Sequence, residues 1–350
     1  MNTDTQDLTV RSPSELLEMS FPASDNYVAD GVIAKGQRAA MIGPAGIGKS
    51  MTITQLAYSC ILGTPFLDLP VGCEDKNILI LQAENSNRRL ASQLTRQLSG
   101  FTDDEKRRID EHLSIHTLEQ SQDSALRMKG GNANAVARLL SKTKPDIVFI
   151  DPLNAFAQKN LNTDDGMLDT LHELELLAKE ANPDVAIIIV HHTRTDGRAY
   201  LDAVGPSRSN YGRGSKALHG WSRGTFNIAA GSPDDSSKIL VACGKNSNGP
   251  DFEPFGAVRN PETLLFERDP SFRLDVWKQE MSGKPAGRLL LTPEQVAGFV
   301  ADRPLNRQDL LEVIMEESGC AKSKAYQAIK DAQTQTIVRG ADRLFRSIKV

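Results

Sequence analysis

Gly43-Pro44-Ala45-Gly46-Ile47-Gly48-Lys49-Ser50 fits the spacing GxxxxGK[ST], and its surroundings decide the fold class: the apolar run AAMIG (39–43) leads into it and a helical run (51–61) leaves it. A strand, a glycine-rich turn and a helix in that order aim consecutive backbone N–H groups into one loop, with the positive end of the helix behind them. That arrangement cradles a phosphate group. Lys49 then reaches terminal phosphates and Ser50 offers a hydroxyl to Mg²⁺. Gly43, Pro44, Ala45, Gly46, Ile47, Gly48, Lys49, Ser50 and Met51 are therefore the expected nucleotide-binding residues, with ATP and Mg²⁺ as the ligands.

Working outward, the runs NILILQAE (77–84), LSIHTL (113–118), DIVFID (146–151) and VAIIIVHH (185–192) are nearly continuous in apolar residues rather than alternating. Strands buried on both faces of a parallel sheet read this way. Helical patterns at 86–98 and 166–181 separate them. Strand alternating with helix predicts a doubly wound α/β domain with a mostly parallel, twisted sheet. Beyond residue 220, GTFNIAAG (224–231), KILVACGK (238–245) and TLLFERD (263–269) are shorter strands between turn residues, so the sheet is expected to end in antiparallel strands or a hairpin.

The chain has 350 residues, 39% hydrophobic and 25% charged, with a formal charge of -4. This composition is that of a folded protein and excludes a polycation, so nucleic-acid contact must be local. No run approaches the roughly 18 apolar residues of a membrane span, which predicts a cytoplasmic protein without a membrane partner. Four cysteines, Cys60, Cys73, Cys243 and Cys320, form no CxxC pair and read as reduced structural thiols. The expected organisation is an N-terminal arm (1–24), an α/β core (25–280), a linker rich in Ser282, Gly283, Pro285 and Gly287 (281–292), and a C-terminal domain (293–350).

Asp151 closes a buried strand at the edge where open α/β sheets place ligands, and is expected to hold Mg²⁺ opposite Ser50. Pro152 follows it, so the adjacent position carries no general base. Glu84, ending another strand at the same edge, is the carboxylate able to position and deprotonate water. His191 and His192 end the next strand, and one imidazole, with His192 preferred, is expected to sense the terminal phosphate.

GPAGIGKS, the strand-ending glutamate in LQAEN, DPLNAF in place of Asp-Glu, and VHHTR together resemble the RecA-type P-loop ATPases, and within them the RepA-like hexameric replicative DNA helicases of plasmids and phages. The resemblance spans roughly residues 25–255. It implies a RecA-like P-loop NTPase core that hydrolyses ATP between subunits of a homo-oligomer, a hexamer, and moves along single-stranded DNA in the ring channel. It also implies Glu84 as general base, Asp151 as Mg²⁺ partner and His192 as γ-phosphate sensor. Arg223 matches the arginine finger donated by a neighbour, and Lys245 the cationic hairpin tip that touches the neighbour's nucleotide. Relatives read Lys-x-Arg at that tip, whereas this chain has Lys245-Asn246-Ser247.

Between His192 and Arg223, Arg198, Arg208, Arg213 and Lys216 are interleaved with Tyr200 and Tyr211 in a polar stretch expected to contact DNA, cations on phosphates and aromatics on bases. At the C-terminus, helices at 307–318 and 322–332 and two short strands around Gly340 give the order of a winged helix-turn-helix. Seven cations against two carboxylates lie in 318–350. Lys322 and Lys324 are its expected DNA contacts, against a protein-docking alternative. Two functions stay open: an ATP-driven helicase or translocase, and a non-translocating, ATP-switched DNA-binding or recombination regulator. A small-molecule kinase is disfavoured because no lid or acceptor site is legible.

Overall fold

Short connections between strands that bury both faces leave few ways to arrange this chain, and the computed structural model shows which is taken. It describes residues 10–116, 131–194, 199–214, 216–282, 292–301, 303–318, 322–333 and 335–348. In chain order the first unit contains α1 (Pro13–Glu18), β1 (Asn26–Val28), β2 (Ile33–Ala34), β3 (Arg38–Gly43), α2 (Lys49–Leu62), β4 (Ile78–Gln82), α3 (Asn87–Gln97), α4 (Asp103–His112) and β5 (Leu113–Ile115). It continues with α5 (Gly131–Thr143), β6 (Ile147–Asp151), α6 (Leu153–Phe156), α7 (Asp164–Ala181), β7 (Ala186–His192), α8 (Ala217–Trp221), β8 (Gly224–Ala230), β9 (Lys238–Asn246), β10 (Phe255–Arg259) and β11 (Phe266–Asp269). Compact packing divides the chain after Leu274.

Nine strands form one sheet in the order β11-β10-β9-β8-β3-β7-β6-β4-β5. From β8 to β5 every neighbour is parallel, and β8-β9-β10-β11 is an antiparallel meander. The mostly parallel α/β class read from the sequence is the one observed. Its cause is visible in the side chains: Ile78, Ile80, Ile147, Phe149, Ile188 and Val190 join one core with Ile53, Leu56 and Ile61 of α2. The alternating residues Leu79, Leu81, Val148, Ile150, Ile187 and Ile189 are equally buried on the other side, and a strand needing apolar residues on both faces loses its alternation. Gly48 and Gly63 cap helix α2 at its two ends, both in the left-handed region, and the Gly63 N–H returns to the Ser59 carbonyl.

Two strand readings need correction. Of the run 113–118, the described residues 113–116 give the three-residue strand β5 at the sheet edge, half-exposed rather than buried on both faces, and residues 117–118 lie outside the described residues. Strand β10, whose apolar run Phe255-Gly256-Ala257-Val258 is short, glycine-containing and flanked by Pro254 and Asn260, was not anticipated, yet it carries the meander between β9 and β11. Among the described residues no helix is long and apolar enough to cross a membrane. Cys60, Cys73 and Cys243 are buried and free, while Cys320 lies outside the described residues.

The second unit contains α9 (Leu274–Met281), α10 (Pro293–Phe299), α11 (Arg307–Ser318), α12 (Lys322–Gln333), β12 (Ile337–Arg339) and β13 (Phe345–Ser347). Strands β12 and β13 form an antiparallel hairpin, and Leu305 bridges to Phe345. Val296, Leu310, Ile314, Ala325, Ile329, Ile337 and Phe345 make a core of their own. Residues 283–291 of the expected linker are outside the described residues, as are residues 1–9 of the expected arm.

Candidate functional site

Parallel strands end at one edge, so register alone brings distant residues together. Gly43 pairs with His192, and Gln82 with Asp151. Gly46 and Gly48 turn the loop with φ of 75° and 97°, values that cost other residues strain. A Cβ on Gly48 would stand 2.9 Å from the Phe266 ring, and one on Gly43 2.8 Å from the Ile228 carbonyl. The loop is thus closed from behind and free only toward the edge.

Lys49 is buried, and its ammonium donates to the carbonyls of Gly43 (2.9 Å) and Pro44 (2.8 Å) and stands 3.3 Å from His192 Nδ1. Burial lowers its pKa to about 8, with Asp151 and Glu84 opposing. Three weak acceptors satisfying one ammonium is a donor set waiting for anionic oxygens. Ser50 Oγ donates to Asp151 Oδ2 at 2.6 Å. Burial raises the Asp151 carboxyl, which the Ser50 bond and Lys49 counteract. A hydroxyl and a carboxylate side by side are the oxygen ligands that Mg²⁺ takes while keeping most of its waters.

Glu84 lies two residues beyond the end of β4, exposed, and its charge acts on both Lys49 and Asp151. Its place is set by a residue the sequence reading passed over. Gln82 Oε1 accepts the Glu84 and Asn85 backbone N–H groups (3.1 and 2.7 Å), and Gln82 Nε2 donates to the carbonyls of Asn85 (2.8 Å) and His116 (2.9 Å). A buried polar residue at the last position of an apolar strand was the available signal. Phe266 was also missed: its N–H and C=O exchange 2.8 Å bonds with the Gln55 amide, fixing β11 on α2 behind the loop.

The two histidines do different things. His192 is half-buried and faces Lys49; burial, then Lys49 and Arg213, lowers its pKa. His191 is buried, its pKa is lowered to about 4 chiefly by burial, and Nε2 lies 2.9 Å from the Arg213 carbonyl. A neutral ring facing a carbonyl donates from Nε2, leaving Nδ1 an acceptor, and that atom has no partner among the described residues. A cavity of about 400 Å³ opens beside both rings, lined also by Asn154, Gln158, Asn160 and Arg213.

Arg223 and Lys245 stand elsewhere. The Arg223 N–H donates to the Arg38 carbonyl at 2.7 Å, at the start of β3, so it is a strand length, ~17 Å, from the chain's own loop. Lys245, paired with Thr225 across β8 and β9, donates to the His219 carbonyl at 2.8 Å. Burial, Arg223 and Arg38 lower its pKa. These cations share one edge of the sheet, while Lys49, Ser50, Asp151 and His192 occupy the other.

Among the described residues between His192 and Arg223, several are packed and hydrogen-bonded rather than open to solvent. Tyr211 is not a base-stacking aromatic: it is fully buried, and its hydroxyl donates to the Ile228 carbonyl at 2.7 Å. Buried Asn227 donates to the carbonyls of Ala203 and Arg208, which gives the polar segment the partners its composition required. Arg208 pairs with Asp251 at 2.6 Å, Arg213 and Lys216 are exposed, and Arg198 lies outside the described residues. In the second unit Lys322 is exposed at the start of α12; the Lys324 side chain lies outside the described residues.

A family model described as an AAA domain matches residues 7–198. No curated protein sequence matches the chain. Among solved structures, a DnaB-like replicative helicase, described with its interactions with primase, is 12% identical with a TM-score of 0.48, covering 73% of this chain and 66% of that one. A KaiC-like protein from the hyperthermophilic archaeon Pyrococcus horikoshii is 15% identical with a TM-score of 0.45, covering 71% and 96%. The RadB recombinase is 12% identical with a TM-score of 0.43, covering 67% and 91%.

Proposed function

The chain belongs to the AAA-domain family, and from that premise we propose that it is an ATP hydrolase that assembles as a ring, a hexamer of RepA type, and drives a helicase or translocase along single-stranded DNA in plasmid or phage replication in the cytoplasm. The observation that carries the reading is the meeting of Lys49, Ser50, Asp151, His192 and Glu84 at one sheet edge. Lys49 exchanges its loop carbonyls for phosphate oxygens. Ser50 and Asp151 are the oxygens for the Mg²⁺ that accompanies ATP and supplies charge neutralisation on the phosphates. Glu84 orients water and takes its proton, and His192, touching Lys49, registers the loss of the terminal phosphate.

Assembly in this reading explains the cations at the opposite edge. Arg223 and Lys245 cannot serve their own loop, but reach a neighbour's nucleotide, where a cation stabilises charge in the transferring phosphoryl group. Further support comes from 10–21: Val10, Leu16, Leu17, Met19 and Phe21 are five of the nine exposed large hydrophobic residues among those described. Such a concentration on a capped helical arm fits burial against a second copy. Arg213 and Lys216 are then the DNA-facing cations.

Steady-state ATP hydrolysis with and without single-stranded DNA tests the proposal. DNA is expected to raise turnover several-fold, and Lys49→Ala to abolish it. Slow hydrolysis indifferent to DNA removes the translocase reading in favour of a non-translocating, ATP-switched regulator.

A further inference from the structure

The second unit carries a separate surface. Helix α12 buries Ala325, Ala328, Ile329 and Ala332 and exposes Lys322, Tyr326 and Lys330, three side chains at intervals of four, with Gln327 and Gln333 beside them. The hairpin that follows is anchored by Ile337 and Phe345, leaving its turn in solvent. There Arg346 is paired with Asp342 and Arg339 lies 5.8 Å over the Phe345 ring. Arg343 holds φ of 66° at the exposed turn and has no ion pair among the described residues.

Charge is segregated within the unit. The stretch 318–350 holds seven cations and two carboxylates, whereas α11 holds Asp309, Glu312, Glu316 and Glu317 against Arg307 alone. We propose that the exposed face of α12 and the Arg343 turn form a duplex-DNA site that works without nucleotide, distinct from the single-strand path of the core. The partner must be anionic and must admit a helix. An α-helix with its side chains is ~10–12 Å across, which the ~12 Å wide major groove of B-DNA admits, and Lys322 to Lys330 lays two cations ~12 Å apart along it. The deep, narrow major groove of A-form RNA does not admit such a face. Tyr326 between the lysines suits a phosphate or base edge, Gln327 is held by the Asp331 carboxylate at 2.7 Å, and the hairpin cation reaches the adjoining backbone. The site holds duplex whether or not the core translocates.

Fluorescence anisotropy of the full chain on a 30-base-pair duplex without ATP, across a salt series, tests this. The triple variant Lys322→Gln, Lys330→Gln, Arg343→Ala changes only exposed side chains. It is expected to weaken duplex binding about tenfold or more and to flatten the log-log salt slope by about 3, with melting temperature and single-strand-stimulated ATP hydrolysis unchanged. Lys49→Ala is expected to bind duplex like the wild type, separating this site from the catalytic reading. Unchanged duplex affinity in the triple variant, equal competition by single strands, or no duplex binding by the wild type each overturns the proposal; the last makes the unit a protein-docking module.

Discussion

Lys49 is the most informative single residue because its charge is held in a buried loop by neutral acceptors. With its pKa lowered to about 8 against 10.5 when unfolded, the free folded chain sheds a proton that the unfolded chain keeps between those values. Stability without nucleotide is therefore expected to rise between about pH 8 and 10.5, while ATP binding, which needs the ammonium, weakens over the same range. Denaturant midpoints and nucleotide titrations against pH check both signs. His191 gives the acid counterpart: folded near 4 and unfolded near 6.5, it takes up a proton first in the unfolded chain. Stability is expected to fall as pH drops from 6.5 toward 4, and His191→Asn to flatten that slope in the same measurement. Glu84→Gln keeps the turn built by Gln82 and removes the base, so turnover is expected to drop by about 10²- to 10⁴-fold with ATP binding retained. That Lys49, Ser50, Asp151 and Glu84 meet at one sheet edge was legible because the glycine-rich loop and the ends of parallel strands share that edge. Gln82 and the carbonyl facing His191 were not, since their roles depend on which backbone passes beside them.

At the scale of elements, continuous apolar runs announced β3, β4, β6 and β7 because burial on both faces forces that composition. Strand β10 escaped for the converse reason, and Tyr211 shows the limit of reading a segment by polarity. One tyrosine in a Gly, Ser and Arg-rich stretch becomes core once its hydroxyl finds the Ile228 carbonyl. Packing between elements is tightest where β8 begins: a Cβ on Gly224 would lie 1.7 Å from the Val32 carbonyl, with no flexible side chain to yield. Gly224→Ala is accordingly expected to cost ~3 kcal/mol by overpacking, seen as a lower melting temperature of the core with duplex binding by the second unit intact.

For the whole molecule, the separation of Arg223 from the chain's own loop makes a prediction about assembly. Arg223→Ala is expected to bind ATP but not turn it over, and a Lys49→Ala subunit with an intact Arg223 to be inactive because its own loop no longer holds ATP. Mixing the two is expected to restore part of the activity, because some interfaces then join a good loop to a good cation; activity that stays absent at every mixing ratio sinks the shared-site reading. Removing residues 1–24 is expected to lower self-association in sedimentation velocity, since it strips the exposed Leu16, Leu17, Met19 and Phe21.

The sequence by itself determined the phosphate loop, the parallel core and the charge of the C-terminal segment, because backbone conformation, two-sided burial and net charge are written in local residue types and spacing. Only the tertiary structure decided that Arg223 and Lys245 share the edge opposite Lys49, that Tyr211 is core, that Gln82 places Glu84, and that Lys322, Tyr326 and Lys330 line one open face. Those facts rest on strand register and on which atoms meet across long stretches of chain, and contacts of that kind leave no periodic mark in the residues that make them.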